Sequence, residues 1–164
     1  MTTAFFTLIT VIGLIVAWLQ MRSSSPAVPP LEIDQDDPEM VAARQHAKET
    51  IADFLSLYRQ FPKGAAVKIP FVSSSGVTEF LFAEVDGVRE EKLEVRLMTP
   101  PVTHTGRLDR FWTVPTTDIV DWVITMPDGK KNGGFTMRVM FKKGREKWGD
   151  LPKKLKEEEL KYVV

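Results

Sequence analysis

The apolar positions of the chain follow three patterns, each typical of a different kind of element. Residues 1–21 contain no charged side chain, and most of that run is apolar. From Met40 to Tyr58, apolar residues recur at intervals of three and four, which is the spacing of an amphipathic helix. Beyond Gly64, short apolar stretches are separated by glycine, proline and aspartate, as in strands joined by turns. The pattern therefore predicts an apolar N-terminal segment followed by one helix and a sheet.

The N-terminal run is long enough to cross a membrane as a helix. About 18 residues rise roughly 27 Å at ~1.5 Å per residue, which is close to the thickness of a thin hydrocarbon core. Trp18 lies where an interfacial anchor is expected, and Arg22 ends the run. We therefore predict a single-pass anchor over residues 1–22, with residues 4–20 in the membrane.

The sequence leaves the processing and the orientation of this anchor open. A cleaved signal peptide is the alternative, although residues 1–3 contain no lysine or arginine and so lack the basic start of such a peptide. Arg22, Arg44 and Lys48 follow the apolar run. By the positive-inside rule these basic residues favour the cytoplasmic side of the membrane for the rest of the chain.

A linker and one α+β domain account for the remaining residues. Residues 23–37 are rich in serine, proline and acidic side chains, which is typical of an extended tether. We predict a domain over residues 38–164, in which a helix from Pro38 to about residue 61 packs on an antiparallel sheet of about five strands. Its family-like core is residues 38–141, and the charged extension 142–164 is predicted to be a helix or a tail. The predicted strands are residues 65–71, 77–85, 93–98, 110–114 and 135–141.

Composition excludes several kinds of functional site. The chain has no cysteine, which excludes a disulfide framework, a thiolate zinc site, an iron–sulfur cluster and a cysteine nucleophile. Its formal net charge is zero, so no global field attracts nucleic acid. His46 and Glu49 have the spacing found in di-iron helices, but the chain lacks the partner helices of such a site. We therefore predict no catalytic residue, no metal and no cofactor.

Three polar features of the second half have more than one interpretation. Asp118 and Asp121 can cap a turn or act as an acid–base pair, and we favour the turn. His104 follows two prolines, and it can be an ordinary loop histidine, which we favour, or contact a ligand. The basic residues around Lys142 and Lys143 are interleaved with aromatic ones. They can form a solvated face, which we favour, or bind lipid headgroups or, least favoured, nucleic acid.

Two short runs in the second half resemble a known family. Residues 119–122 read Ile-Val-Asp-Trp, and residues 133–138 read Gly-Gly-Phe-Thr-Met-Arg. This pair of runs resembles the closing pattern of the YegJ-like bacterial domain of unknown function 2314, and the likeness covers roughly residues 38–141. It implies a bacterial origin and a compact fold of helix and sheet, and it brings no established activity. Family members often carry Glu-His-x-Trp in the second strand, whereas residues 79–82 here read Glu-Phe-Leu-Phe.

The residues of this pattern also have a physical interpretation. Trp122 is expected to anchor the core or its rim, and two adjacent glycines suit a turn with positive φ. Asp121 and Arg138 are each flanked by apolar residues, so we predict that they form a structural ion pair. The candidate motif residues are Asp121, Trp122, Gly133, Gly134, Thr136 and Arg138.

The leading hypothesis for function is a membrane-tethered, non-enzymatic domain that binds another protein. The predicted tether, the lack of a reactive constellation and the aromatic pair Phe111 and Trp112, expected to be exposed, support it. A domain that senses a small ligand or a lipid surface is the alternative, and a deep apolar pocket would favour it. An enzyme is the remote alternative, and it requires Asp118, Asp121, His104 or Arg138 to meet in one cleft.

Overall fold

Six strands of the chain form one antiparallel sheet, in the order β4-β3-β2-β1-β5-β6. The computed structural model describes residues 31, 33–105 and 109–163. The strands are β1 (Ala65–Val72), β2 (Thr78–Arg89), β3 (Lys92–Leu97), β4 (Phe111–Pro115), β5 (Asp121–Thr125) and β6 (Lys131–Gly133). The helices are α1 (Pro38–Glu49), α2 (Ile51–Gln60), α3 (Phe135–Trp148) and α4 (Lys153–Glu159), with 3-10 turns at Pro62–Gly64 and Thr116–Asp118. The predicted α+β class with an antiparallel sheet is thus confirmed.

One side of the sheet, here called the first face, carries a closed apolar core. It is the side of β1 on which Val67 and Phe71 lie, and every second residue of β1, β2 and β3 points to it. Helix α2 packs there through Phe54, whose ring centroid lies 5.8 Å from that of Trp122 in β5. Phe54 and Val67 are fully buried, as the centre of a core requires.

The opposite side, here called the second face, is covered by the C-terminal helices. It is the side of β1 on which Ala66 and Lys68 lie. Met137 and Phe141 of α3 form a second apolar cluster that Phe82 of β2 joins. The other buried members of this cluster, from the segment after α3, are Leu151 and Leu155. The charged extension therefore contains a helix that belongs to the domain, rather than a loose tail.

The predicted N-terminal helix begins where expected but is interrupted. The Asp37 carboxylate accepts a hydrogen bond from the Glu39 N–H at 2.9 Å, and Pro38 occupies the first turn. Thr50 then adopts φ −100° and ψ 17° and separates α1 from α2. Its hydroxyl donates to the His46 carbonyl, which satisfies one of the free acceptors at the end of α1. One amphipathic stripe therefore serves two helices.

The last predicted strand, residues 135–141, is wrong: it is the first half of helix α3. Met137 and Phe141 are four residues apart and are buried on one side of that helix, a spacing that an alternating strand pattern partly imitates. Residues Thr136 and Arg138 consequently lie on a helix. The sheet gains its extra strands from β5 and from the short β6, neither of which was predicted as a strand.

The predicted anchor falls outside the structure that can be described. Residues 1–22 and most of the linker lie outside the described residues, so the anchor, its orientation and its cleavage stay predictions. Among the described residues, no helix is both long and apolar enough to cross a membrane. The end of the linker differs from an extended solvated tether, because Leu31 is buried against the domain.

Candidate functional site

A deep cleft lies on the second face of the sheet. Its volume is about 720 Å³, and most of its lining side chains are apolar. Ala66 of β1 and Phe80 and Phe82 of β2 line it from the sheet, and Met137 and Met140 line it from α3. The segment that precedes α1 adds Leu31, Ile33 and Gln35. Apolar clefts of this size are typical of sites for small molecules.

Lys68 places an amine on the sheet wall of this apolar cleft. It lies in the middle of β1, where its neighbours Val67 and Ile69 point to the first face and the lysine points to the second. Its Nζ donates to the Thr136 hydroxyl at 3.3 Å and lies 5.4 Å from the centroid of the Phe82 ring. Burial lowers the pKa of Lys68, because the charged form loses hydration.

Two charges near Lys68 act on its pKa in opposite directions. Asp121 lies opposite Lys68 in the register of β5 with β1. Its carboxylate raises the pKa of Lys68 and so partly offsets the effect of burial. The Arg44 guanidinium lowers it further, because two positive charges repel each other. Arg44 itself lies over the Phe80 ring and donates to the side chain and backbone of Gln35, which holds the segment before α1 at the cleft.

Asp121 is fully buried and holds the start of helix α3. Its Oδ1 accepts from the N–H groups of Trp122 at 2.8 Å and Phe135 at 3.0 Å. Its Oδ2 accepts from the Thr136 N–H at 2.8 Å and from the Thr136 hydroxyl at 2.6 Å. Gly134, the residue at the cap position, has no side chain for this task, so β5 supplies the cap from a distance.

Burial raises the pKa of Asp121, and the hydrogen bonds from Thr136 together with the charge of Lys68 oppose that shift. The Thr136 hydroxyl donates to Asp121 and accepts from Lys68, so it links the two charged groups. Thr136 is 1% exposed, and its proton is directed at the carboxylate. The arrangement therefore stabilises charge and does not present a free nucleophile.

Of the other charged side chains that line the cleft, Lys63 is exposed to solvent and the remaining three are in ion pairs. At one side Lys131 forms an ion pair with Glu158. Burial raises the pKa of Glu158, the hydrogen bonds from Lys131 and Lys161 lower it, and the net shift is downward. At the other side Glu84 pairs with Arg96. These pairs have satisfied partners within the protein, unlike the amine of Lys68.

The predicted structural roles of Trp122 and the two glycines agree with their geometry. Trp122 is 3% exposed and donates from its indole N–H to the Ala47 carbonyl at 3.2 Å. Gly133 and Gly134 have φ of 80° and 69°, in the left-handed region. A Cβ on Gly133 would lie 2.1 Å from the Trp122 carbonyl oxygen, and one on Gly134 would lie 2.2 Å from the Tyr162 ring. Both positions therefore require glycine for conformation and for space.

The predicted ion pair between Asp121 and Arg138 is wrong. No ion pair joins them among the described residues, and Asp121 is occupied by the amides and hydroxyl at the start of α3. Arg138 instead donates to the carbonyls of Gly133 and Val163, so it fastens the end of the chain to the turn before α3. Because residue 138 lies on a helix and not on a strand, its side chain leaves in a different direction from the one assumed.

The aromatic pair of β4 is exposed only in part. Phe111 is 66% exposed. Trp112 instead packs on the first face, 5.5 Å from Phe71 between ring centroids, and its indole N–H donates to the Asp109 carbonyl. Alternation along β4 explains the difference, since neighbouring residues of a strand point to opposite sides.

The residues that an enzyme would need do not meet. His104 packs against Phe71 on the first face, Asp118 is exposed in a 3-10 turn, and neither lines the cleft. Asp121 and Arg138 lie behind the cleft wall and are not lining residues either. No group of three or more metal-ligating side chains occurs in the part of the chain that the structure describes.

The basic cluster at the end of α3 is balanced by acidic partners. Lys142 pairs with Glu39, and Lys143 contacts both Asp37 and Glu39 at the start of α1. The side-chain hydrogen bond to Asp37 is the main reason that the pKa of Lys143 is raised. These two lysines join α3 to α1 through ion pairs. The lipid-binding and nucleic-acid interpretations instead require basic side chains that meet a ligand.

Sequence reasoning missed the cleft and the position of Lys68 in it. The one local signal is a lysine inside an otherwise apolar strand, between Val67 and Ile69. The other walls come from residues as far apart as Leu31 and Tyr162. No local pattern connects those positions, so the cleft becomes visible only when the helices are placed on the sheet.

Comparison with known proteins gives one match. The model of the family described as uncharacterized protein conserved in bacteria (DUF2314) matches residues 37–148. That range includes α1 to α3 and the whole sheet, and thus most of the cleft lining. The lining residues before α1 and after α3 lie outside it. Neither a curated protein nor a solved structure matches the chain.

Proposed function

The chain belongs to the bacterial family DUF2314, and we propose that its domain is a non-enzymatic binding domain that takes up a small, largely apolar molecule in the cleft of the second face. The observation that carries the proposal is the cleft itself. It is deep, has a volume of about 720 Å³ and is lined mainly by apolar side chains. A site of this kind gains binding energy by removing apolar ligand surface from water.

The walls of the cleft are suited to a ligand of adaptable shape. Met40, Met98, Met137 and Met140 lie around it, together with two phenylalanines of β2. Methionine side chains are flexible and polarizable, so they adjust to irregular apolar surfaces. A domain built for one rigid ligand would need fewer adaptable contacts.

The predicted anchor gives this proposal a cellular setting. If residues 4–20 span a membrane, the domain is held beside it, where apolar and amphipathic molecules are concentrated. Leu31 and Gln35 both line the cleft and lie close to the anchor in the sequence. A ligand in the cleft would thus touch the segment that leads to the membrane, which is the arrangement expected of a sensing domain.

Binding of another protein is the second candidate function. Its support is Phe111, a large apolar side chain exposed on β4 at the edge of the sheet. An edge strand leaves backbone groups available for pairing with another chain. The cleft favours the small-molecule function more strongly, because it combines depth and apolar walls, whereas Phe111 is a single exposed side chain.

Photolabelling tests the small-molecule function. The full-length chain in phosphatidylcholine nanodiscs would be irradiated with benzophenone, an uncharged apolar probe, and the labelled peptides would be mapped by mass spectrometry. We expect saturable labelling of peptides that line the cleft. Ala66→Phe fills the cleft from β1 and should reduce this labelling by about tenfold or more. Val72→Phe is the matched control, because Val72 lies on the same face of β1 but is 65% exposed and outside the cleft.

Two results would count against the proposal. Labelling spread evenly over the surface would mean that the cleft does not bind apolar molecules. Equal labelling of the Ala66→Phe and Val72→Phe variants would mean that the probe binds elsewhere. For the second candidate function, crosslinking in native cells should capture one stoichiometric protein partner that is lost in Phe111→Ser, and no partner would remove the support for it.

A further inference from the structure

We infer that the ligand of the cleft carries one negative charge, a carboxylate, which binds Lys68. The inference rests on the proposed function and names the chemical class of its ligand: a soluble monocarboxylate with an apolar chain. Three features of the described residues lead to it: the free donors of Lys68, the engagement of Asp121 and the charge of the cleft lining.

The first feature is the incomplete set of partners around Lys68. A lysine ammonium group has three N–H donors. One of them is used by the Thr136 hydroxyl at 3.3 Å. No carboxylate oxygen of residues 31, 33–105 or 109–163 forms an ion pair with this amine within 4 Å. The remaining donors therefore have room for an acceptor that comes from the cleft, which Lys68 lines.

The second feature is that Asp121 is not free to complete this set. Both of its oxygens already accept two hydrogen bonds each, three from backbone N–H groups and one from Thr136. Its interaction with Lys68 passes through the Thr136 hydroxyl rather than through a direct contact. Asp121 thus attracts the charge of Lys68 without occupying its donors, and a ligand carboxylate can bind in the place that a direct ion pair would fill.

The third feature is the charge of the lining. Among the described residues it contains three lysines and two glutamates. Glu158 is paired with Lys131, and Glu84 is paired with Arg96, which lies outside the lining. Outside the lining, Asp121 adds a negative charge and Arg44 a positive one, both close enough to act on Lys68, so the surplus is that of the lining itself. The surplus positive charge favours an anion, repels a cation and leaves an uncharged ligand without a partner for Lys68.

The arrangement of polar and apolar groups selects the type of anion. Among the described lining residues Lys63 is exposed and Lys131 is paired with Glu158, which leaves Lys68 as the partly buried amine without an ion-pair partner. One such amine in an apolar cleft complements one carboxylate at the end of an apolar chain. A phosphate monoester carries more charge and usually meets several basic donors, and Lys68 alone does not supply them. We therefore commit to a free monocarboxylate, with a membrane lipid as the competing source of negative charge.

Competition against the benzophenone label tests this inference. The competitors are decanoate, decan-1-ol and decyltrimethylammonium, which share a chain length and differ in charge. For the wild-type chain in phosphatidylcholine nanodiscs, the ratio of the decanol to the decanoate concentration that halves the labelling is measured. The same ratio is measured for Lys68→Met. The wild-type chain and Lys68→Met are measured in nanodiscs of the same lipid composition, so partition of the competitors into lipid cancels in the comparison.

We expect the preference for decanoate to fall about tenfold in Lys68→Met, which corresponds to the loss of one charge-assisted contact. Lys68→Arg keeps the positive charge and should keep most of the preference. The ratio is taken within each variant, so a uniform change in benzophenone labelling does not affect it, and cooperative urea unfolding of both variants checks that they fold. Decyltrimethylammonium should be the weakest competitor in the wild-type chain.

An unchanged preference in Lys68→Met would overturn the inference and leave the proposed function standing. If the cleft of the wild-type chain is not labelled at all, the proposed function itself is wrong. Nanodiscs that contain phosphatidylglycerol supply the last comparison. If they block the label in a manner that depends on Lys68 while decanoate does not, the bound anion is a membrane lipid, and the assignment to a soluble carboxylate is wrong.

Discussion

The first face of the sheet is closed and packed, whereas the second face keeps an open cleft beside its packed helices. Leu81 and Leu97 on the first face are each 1% exposed. Their sequence neighbours Phe82 and Met98 lie on the second face and line the cleft. The same strands thus build a core on one side and a binding surface on the other, because side chains alternate along a strand.

Among the residues that the structure describes, each face contains one carboxylate that is 0% exposed, and the two are used differently. Glu79 on the first face accepts the N–H groups of Val102 and Thr103, so it fixes a loop. Asp121 on the second face caps helix α3 and at the same time attracts Lys68. The contacts of Glu79 are therefore structural. At the second face, the carboxylate of Asp121 serves structure, and the amine of Lys68 lines the cleft.

The largest expected effect tests the structural role of Asp121. Asp121→Ala removes the acceptor of three N–H groups and one hydroxyl and leaves Lys68 without its nearest negative charge. We expect the free energy of unfolding to fall by about 4 kcal/mol, as measured by urea denaturation. Asp118→Ala, at an exposed carboxylate three residues away, should change it by about 0.5 kcal/mol or less. Similar losses for both would mean that α3 does not depend on this cap.

The next effect compares the two faces directly. Leu97→Ala should lower the free energy of unfolding by about 3 kcal/mol, because it opens a cavity in a filled core. Met98→Ala, one residue along and on the cleft side, should cost about 1 kcal/mol, since its side chain borders space that is already open. Urea denaturation of both variants measures the difference. Equal costs would contradict the contrast between a filled face and an open one.

The contrast between the faces also marks what the sequence predicts. Strands β1 to β4 are predicted close to their bounds, and one helix is predicted over the residues that α1 and α2 occupy, because alternation and helical spacing are local signals. Residues 135–141 were assigned to a strand because Phe135, Met137 and Phe141 suit either period over so short a run. Asp121 caps the start of this helix from a position fourteen residues before Phe135. A local sequence pattern around residues 135–141 does not include that residue.

The candidate site was predicted less well, for a physical reason. Asp121, Trp122, Gly133 and Gly134 were identified as important residues, and the structure brings them together around the start of α3. Their contacts are structural, and the sequence could not distinguish a capping carboxylate from a functional one. The sequence places Lys68 in a predicted strand and gives no sign of a cleft around it, because the apolar walls come from distant parts of the chain.

A smaller effect tests the junction of the two faces at Gly133, where Trp122 on the first face meets the turn into α3. Gly133→Ala combines a positive φ with a close approach of the new Cβ to the Trp122 backbone. Gly129→Ala is the matched control, since its φ is also positive and nothing lies within 4 Å of its Cβ. We expect Gly133→Ala to cost about 2 kcal/mol more, measured by thermal or urea unfolding. A difference near zero would show that the turn relaxes freely.

The smallest expected effect concerns Lys68 and uses pH. Burial lowers the pKa of Lys68 in the folded chain below the ordinary value of 10.5. Between these two pKa values the unfolded chain binds a proton that the folded chain does not, so the free energy of unfolding rises with pH there.

Relative to Lys68→Met, the wild-type chain should therefore gain stability as the pH is raised from 7 towards 9.5. Lys68→Arg should serve equally well as the reference, because neither substitute titrates in this range. Other titrating groups are common to all three chains and cancel in the differences. A constant difference across this range would show that the amine keeps its hydration, and the second face would then lack the desolvated charge that sets it apart from the first.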